Sequence, residues 1–135
     1  MDDLVERDGL FYKKFTDIPF SGEITGLRNG RIKNGKESGL WKIYYPNGQL
    51  SERVEYKDGK QHGLWEYYYE NGQLLSKRNW KDGKLESLDE LFYENGQSEY
   101  KGNYKDGKRE GLWEYFNKDG TLKKTETYKD GELVE

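Results

Sequence analysis

Cysteine is absent from this 135-residue chain, which has only one histidine, one methionine and two prolines. Without cysteine, the chain has no disulfide framework and no thiolate ligand for a structural zinc ion. The single histidine, His62, has no partner at a spacing that a general base would need. No apolar run approaches the ~20 residues of a transmembrane helix. We therefore expect a protein that is not an enzyme and that holds no cofactor and no metal.

Hydrophobic residues are also scarce, at 32% of the chain, whereas charged residues reach 36%. Such a composition is typical of disordered chains, which cannot bury enough apolar surface to offset the loss of chain entropy. Aromatic residues argue against disorder, because 12 tyrosines and 4 tryptophans help to raise the aromatic share to 16%. The composition therefore predicts a chain that folds around an aromatic core rather than an aliphatic one.

Neither sign of charge dominates, since 23 basic and 26 acidic residues are interleaved and the net charge is −3. The lack of a basic block predicts no nucleic-acid partner and argues against binding to membrane lipid. The opening residues, Met1-Asp2-Asp3, do not resemble the start of a signal peptide. The compartment stays open: the protein is cytoplasmic if Met1 is native, and periplasmic or secreted if a leader peptide was removed.

A 24-residue repeat fills most of the chain. Each unit carries two turn dipeptides, Asn-Gly or Asp-Gly, and most units place Gly-Leu-Trp between them. The first set of dipeptides is Asn47-Gly48, Asn71-Gly72, Asn95-Gly96 and Asp119-Gly120. The second set is Asn34-Gly35, Asp58-Gly59, Asp82-Gly83, Asp106-Gly107 and Asp130-Gly131. Such regular turn signals between Tyr- and Leu-rich runs predict tandem β-hairpins.

The first set of dipeptides predicts two-residue type I′ turns, in which both central residues have positive φ. In the unit around Asn71-Gly72, this turn would place Tyr69 opposite Leu74 and Trp65 opposite Arg78. Because successive side chains of a strand alternate between faces, the tryptophans and many tyrosines then share one face of the sheet. The second set of dipeptides returns the chain to the next hairpin.

The predicted fold is all-β: an open, elongated, single-layer antiparallel sheet of tandem 24-residue β-hairpin repeats. Residues 1–35 would form an N-terminal cap and a shortened first repeat. Residues 36–135 would form four tandem hairpin repeats, and we expect the whole chain to be a single domain.

The aromatic face of this sheet has two interpretations. In a single layer, stacked Trp and Tyr rings are the hydrophobic core, which is the interpretation we favour. A single layer cannot fully cover that face, however, and exposed aromatic surface with a polar rim is typical of recognition sites. The candidate partner-binding residues are Trp41, Tyr45, Trp65, Tyr67, Tyr69, Tyr93, Trp113 and Tyr115.

The third unit departs from the repeat, because Ser87-Leu88-Asp89 stands where other units have Gly-Leu-Trp. A carboxylate on the aromatic face is costly unless it is hydrated or paired with a cation. We predict a notch in the row of aromatic rings at Asp89, with its carboxylate reaching solvent or Arg78. Neutral drift in a redundant array would explain such a notch, and so would a site for a basic or polar group of a partner. Under drift, replacing Asp89 by Trp would restore the row and raise stability.

Segments such as Tyr-Lys-Asp-Gly-Lys-x-x-Gly-Leu-Trp-x-Tyr and Tyr-Glu-Asn-Gly-Gln resemble MORN repeat variants (membrane occupation and recognition nexus). Bacterial proteins of the YwqK-type antitoxin family carry similar units, and the resemblance covers about residues 9–131. It implies an open, twisted sheet in which successive hairpins add side by side. MORN arrays elsewhere act as protein-binding scaffolds, with phosphoinositide binding suggested. The antitoxin label implies a toxin as the partner.

From these observations we expect a non-catalytic module that binds or scaffolds another protein, with an antitoxin-like role as one form of it. Three alternatives stay open: a phosphoinositide or membrane-surface binder, a glycan-binding module and a purely structural homo-oligomer. An aromatic surface suits the glycan alternative because sugar rings stack on aromatic rings.

Overall fold

The computed structural model describes residues 4–13 and 18–134, which form fourteen β-strands. Within this described part there is no helix long and apolar enough to cross a membrane. The strands are β1 (Leu4–Arg7), β2 (Leu10–Lys13), β3 (Gly22–Ile24), β4 (Arg28–Lys33), β5 (Lys36–Tyr44), β6 (Leu50–Lys57), β7 (Lys60–Gln61), β8 (Gly63–Tyr68), β9 (Leu74–Lys81), β10 (Lys84–Phe92), β11 (Ser98–Lys105), β12 (Lys108–Phe116), β13 (Leu122–Lys129) and β14 (Glu132–Leu133).

Strands β3 to β14 form one 12-stranded antiparallel sheet, and β1 and β2 form a separate hairpin. The order across the large sheet is β14-β13-β12-β11-β10-β9-β8-β6-β5-β4-β3, with the short β7 paired to β6. Neighbours in the sheet are therefore neighbours in the chain, and the two ends of the order do not meet. The predicted fold, an open single sheet of consecutive hairpins, is confirmed.

The loops at the first set of dipeptides differ from the prediction. In one of them the amide of Gly72 donates to the carbonyl of Tyr69 at 2.9 Å, and the amide of Tyr69 donates to the carbonyl of Gln73 at 2.8 Å. Only the glycine of each loop has positive φ, between 88° and 90°. This geometry is a three-residue loop, a type I turn closed by a left-handed glycine. The predicted positive φ of these glycines is confirmed, but the two-residue type I′ turn is wrong.

The residue ahead of each dipeptide becomes part of the longer loop. It occupies the second position of a type I turn, which suits most residues and favours proline. Proline stands there in the first loop, and it lacks the N–H that the residue flanking a two-residue turn would have to donate. These loop residues are Pro46, Glu70, Glu94 and Lys118.

Type I′ turns occur instead at the second set of dipeptides. Asp58 and Gly59 have φ of 51° and 79°, and the flanking Lys57 and Lys60 pair directly. Positive φ at both central residues defines this turn, and its twist matches that of the flanking strands. The two sets of dipeptides therefore form different loops at opposite ends of the strands.

The predicted register holds along most of the hairpin and fails beside its loop. Trp65 lies opposite Arg78, but Leu74 lies opposite Tyr68 rather than Tyr69. The cause is the three-residue loop, which introduces a β-bulge and shifts the pairing by one position. The same shift recurs in the other three hairpins, where the pairs are Tyr44 with Leu50, Phe92 with Ser98 and Phe116 with Leu122.

The β1–β2 hairpin covers the N-terminal end of the large sheet. Phe11 of β2 joins Ile24 and Ile32 in the buried cluster, and each of the three is at most 8% exposed. Two backbone hydrogen bonds of 2.6 Å hold this end together, from Phe11 to the carbonyl of Gly35 and from Gly35 to the carbonyl of Phe20. Burial of these apolar residues closes one end of the aromatic core.

Candidate binding surface

One row of side chains crosses the sheet on its aromatic face. Trp41 lies opposite Val54, Trp65 opposite Arg78, and Arg78 opposite Asp89. Directly opposite residues share a face, so the row collects one position from each of β4–β6 and β8–β13. We call it the central row; it consists of Gly30, Trp41, Val54, Trp65, Arg78, Asp89, Gly102, Trp113 and Glu126.

Glycine makes room for two of the three tryptophan rings in the central row. A Cβ atom added to Gly30 would lie 2.0 Å from the ring of Trp41, and one added to Gly102 would lie 2.1 Å from the ring of Trp113. Each ring therefore lies directly against the backbone of the preceding strand. The indole N–H of Trp113 also donates to the carbonyl of Asn103 at 3.2 Å. These contacts fix the rings in place.

Arginines cover the outer faces of two rings. The guanidinium of Arg28 lies 4.5 Å from the ring centre of Trp41, and that of Arg109 lies 4.5 Å from the ring centre of Trp113. A cation over an indole face is an attractive arrangement. The exposed fractions of Trp41, Trp65 and Trp113 are 0%, 7% and 0%. These three members of the candidate binding face therefore belong to the core and offer almost no surface to a partner.

Tyr67 and Tyr115, two further candidate residues, are half-buried beside this core. The ring of Tyr67 lies 6.3 Å from that of Trp65, and the ring of Tyr115 lies 6.0 Å from that of Tyr100. Burial, helped by the negative charge of Glu52, raises the pKa of Tyr67 to about 12. Both rings extend the core towards the rim of the sheet.

The third unit replaces a tryptophan by a buried ion pair. Asp89 is 1% exposed, and its Oδ1 accepts a hydrogen bond from Nε of Arg78 at 3.1 Å. The hydroxyl of Tyr100 donates to Oδ2 at 3.5 Å. The prediction allowed either solvent or Arg78 as the environment of this carboxylate, and the structure pairs it with Arg78.

Three equivalent tyrosines follow the loop edge of the sheet. Tyr45, Tyr69 and Tyr93 lie 24 residues apart, each just before a three-residue loop. Each hydroxyl donates to a backbone carbonyl of the next repeat. The acceptors are Tyr68, Phe92 and Phe116, at 2.5, 2.7 and 2.8 Å. The hydrogen bonds hold neighbouring repeats together and fix the direction of each ring.

Two equivalent depressions lie between these tyrosines. The first has a volume of about 450 Å³ and is lined by Tyr45, Tyr69, Glu70, Asn71 and Glu94. The second has a volume of about 440 Å³ and is lined by Tyr69, Tyr93, Glu94, Asn95 and Lys118. Tyr69 lines both of them, so the two are adjacent. We call the pair the tyrosine groove.

The tyrosines of this groove are among the candidates predicted from the sequence, whereas its charged residues are not. Glu70, Glu94 and Lys118 occupy the same loop position in successive units, and all three are exposed. The repeat could have identified these residues, because the position before the Asn-Gly or Asp-Gly dipeptide varies between proline (Pro46), glutamate and lysine. A position whose charge varies between repeats, next to a dipeptide that hardly varies, indicates an exposed residue.

Other polar groups offer less chemistry. Among residues 4–13 and 18–134, no group of three or more His, Cys, Asp or Glu side chains could hold a metal ion. Nδ1 of His62 is buried and has no hydrogen-bond partner in the described part of the chain. His62 lies between β7 and β8 and belongs to neither strand, and its backbone amide donates to the carbonyl of Glu55 at 3.0 Å.

Comparison with known proteins supports the repeat assignment. The sequence matches the family described as MORN repeat variant over residues 37–58, 61–82, 90–106 and 109–130. The four segments together cover more than half of the chain, and each coincides with one hairpin unit of the sheet. No curated protein matches the chain. The chain belongs to the MORN repeat variant family.

Proposed function

We propose that this protein is a non-catalytic protein-binding module that engages its partner through the tyrosine groove. MORN repeats generally mediate protein or membrane binding. An antitoxin-like role, in which the partner is a toxin, is a narrower form of the proposal and is supported only by the resemblance to the YwqK-type family. Scaffolding, in which the array holds two partners, is another form.

The observation that carries the proposal is the repetition of one depression at successive units. A recognition surface needs concave shape with aromatic walls and a polar rim, and both depressions of the groove supply these features. Another depression, of about 490 Å³, lies elsewhere, between residues 23 and 42. Its Glu23 and Arg31 pair with each other at 3.1 Å, which leaves less unpaired charge for a partner. We therefore assign binding to the groove.

Charge favours a protein over a lipid surface as the partner. Glu70 and Glu94 are exposed at the rim of the groove and would repel anionic headgroups. The net charge of the whole chain, −3, acts in the same direction. Among the arginines of the aromatic face, Arg28 and Arg109 lie over tryptophan rings and Arg78 pairs with Asp89.

Site-specific photo-crosslinking tests the proposal. A benzophenone side chain would replace Gln73, an exposed residue beside the groove, or Lys57, an exposed residue at the opposite end of the strands. In cells that produce the protein, we expect a discrete crosslinked protein from position 73 and not from position 57. Crosslinks from position 57 alone would place the binding surface elsewhere and contradict the proposal.

The alternatives have their own measurements. Flotation with liposomes that contain anionic lipid would reveal a membrane-surface binder, and a glycan array would reveal a sugar binder. Light scattering of the purified chain would reveal a structural homo-oligomer. We expect no flotation, no glycan signal and a monomer.

A further inference from the structure

We propose that the partner presents lysine or arginine side chains to the tyrosine groove, and that the first depression is the stronger cation site. This inference rests on the proposed function and names the chemistry of its partner. The occupant is an extended segment of another protein, with two cationic side chains spaced to match the two depressions.

Aromatic walls and carboxylates together make the first depression suitable for a cation. Glu70 and Glu94 both line it, and no lysine or arginine does. The rings of Tyr45 and Tyr69 supply faces that attract a guanidinium or ammonium group. Burial raises the pKa of the Tyr69 hydroxyl, and the negative charges of Glu94 and Glu99 raise it further.

The second depression has the same shape but a weaker charge. Tyr69, Tyr93 and Glu94 line it as their equivalents line the first, but Lys118 stands where the first has Glu94. A lysine at that place repels an incoming cation and competes for the remaining carboxylate. The groove therefore has a polarity, with its stronger cation site towards the N-terminal end of the sheet.

The groove is organised before the partner arrives. Hydroxyl hydrogen bonds from Tyr45 and Tyr69 to the next repeat fix both rings, so little side-chain entropy is lost on binding. Asn71 is fixed as well, because its Oδ1 accepts a hydrogen bond from the amide of Gln73 at 2.9 Å. Glu70 and Glu94 are exposed, so their carboxylates are accessible to the cation.

The spacing of the depressions restricts the partner segment. Each repeat adds two strands about 4.8 Å apart, so the depressions are roughly 10 Å apart. A polyproline II segment rises about 3.1 Å per residue, and its side chains three residues apart point to the same side about 9 Å from each other. Cationic residues at every third position of such a segment fit the groove.

Synthetic peptides test this chemistry directly. The probe is a fluorescein-labelled nine-residue peptide with two arginines separated by two prolines, and its binding is measured by fluorescence polarisation at low and high salt. Matched peptides carry two adjacent arginines or two glutamates in place of the spaced arginines. We expect the spaced-arginine peptide to bind at least about tenfold more tightly than either control, with loss of affinity at high salt.

Variants of the groove provide the matched controls. The double change Glu70→Gln and Glu94→Gln should weaken the spaced-arginine peptide about tenfold or more. The control, Glu23→Gln with Glu132→Gln, removes the same charge from exposed residues outside the groove and should leave binding unchanged. Equal losses in both double variants would mean that only the net charge matters, which would overturn the proposal.

A gain of affinity gives the sharper result, because misfolding cannot cause it. Lys118→Glu converts the second depression into a copy of the first. We expect this variant to bind the two-arginine peptide about fivefold more tightly, while a peptide with one arginine changes little.

Three further outcomes overturn the inference, and circular dichroism first establishes that each variant is folded. Equal binding of arginine and glutamate peptides, or no gain from Lys118→Glu, would reject a cationic partner. In either case the crosslink from position 73 would leave the proposed function intact. If the chain forms oligomers, and if the double change Glu70→Gln and Glu94→Gln dissociates them, the occupant is a second copy of the chain. Failure of the crosslink alone would reject the proposed function.

Discussion

Trp113 and Asp89 occupy the same place in consecutive repeats, and the protein buries them by opposite means. The ring of Trp113 lies on the bare backbone of Gly102 and under the guanidinium of Arg109. Asp89 has an arginine, Arg78, at the place equivalent to that glycine, and the two form an ion pair. Both arrangements leave the residue at most 1% exposed. A tryptophan ring on a glycine and an ion pair are therefore two ways to keep this position of the central row buried.

The backbone of the two units is the same where the side chains differ. Gly111 has φ of 74°, and Ser87, its equivalent in the third unit, has φ of 60°. Such a conformation suits glycine and strains serine. The third unit thus keeps the backbone conformation of its neighbours, although serine is less favourable there than glycine. Packing within the array outweighs this local preference.

Removing the ring from the regular unit should have the largest effect. We expect Trp113→Ala to lower the free energy of unfolding by about 3–5 kcal/mol, because it deletes a large buried ring. Urea denaturation followed by circular dichroism measures the change. Leu112→Ala is the matched control, since Leu112 is 52% exposed, and it should cost less than about 0.5 kcal/mol. Similar losses in both variants would contradict the assignment of Trp113 to the core.

Breaking the ion pair of the third unit should cost about 3 kcal/mol. Arg78→Met leaves the carboxylate of Asp89 buried without its cation, which carries a penalty of about 3–5 kcal/mol in fully buried pairs. The lower end applies because the side chain of Arg78 is 39% exposed. Denaturation in urea again reports the loss. A change below about 0.5 kcal/mol would mean that Asp89 is hydrated in solution.

The fit of Trp113 on Gly102 can be tested by a double-mutant cycle. Gly102→Ala should cost about 2–3 kcal/mol in the otherwise unchanged protein, because the added methyl group collides with the ring. In the Trp113→Ala background, the same change should be nearly free. A coupling energy near zero, measured from the four unfolding curves, would show that the glycine serves another purpose.

Converting the third unit into a regular one should raise stability by about 1–2 kcal/mol, because apolar groups can replace a buried ion pair with a net gain. The conversion requires both Arg78→Gly and Asp89→Trp. The single change Asp89→Trp, which the sequence alone suggested as sufficient, should be destabilising because Arg78 then lacks both space and partner. Thermal melts of the single and double variants check this order. If Asp89→Trp alone raised the stability, the change at Arg78 would not be needed to restore a regular unit.

The smallest effect concerns the backbone of the third unit. Ser87→Gly should raise the free energy of unfolding by about 0.5–1 kcal/mol, since glycine adopts positive φ without a steric penalty. The reverse change at the equivalent place, Gly111→Ser, should lower it by a similar amount. Matched urea curves for the two variants measure both effects. If Ser87→Gly destabilised the protein, its side chain would have to make a contact that outweighs the strain.

Local preferences made much of the fold predictable. The 24-residue period, the strand alternation and the turn dipeptides act within a few residues of one another, so they predicted an open sheet of hairpins with the tryptophans on one face. The same signals misjudged the loops at Asn71-Gly72 and its equivalents. A dipeptide of this kind suits either loop type, because Lys57-Asp58-Gly59 forms a type I′ turn whereas Lys118-Asp119-Gly120 forms the longer loop.

The sequence by itself determined the repeat and the face on which the tryptophans lie, because both follow from spacing along the chain. The family follows from the similarity of the repeat units to MORN repeat variants. Only the tertiary structure decided that Asp89 is buried rather than wet, because that depends on Arg78 of the neighbouring strand and on Tyr100. The tyrosine groove was likewise decided by the fold. Tyr45 and Glu94 are far apart in the sequence, and only the stacking of hairpins brings them to one depression. Contacts between repeats depend on the sheet geometry, which no single segment of the chain encodes.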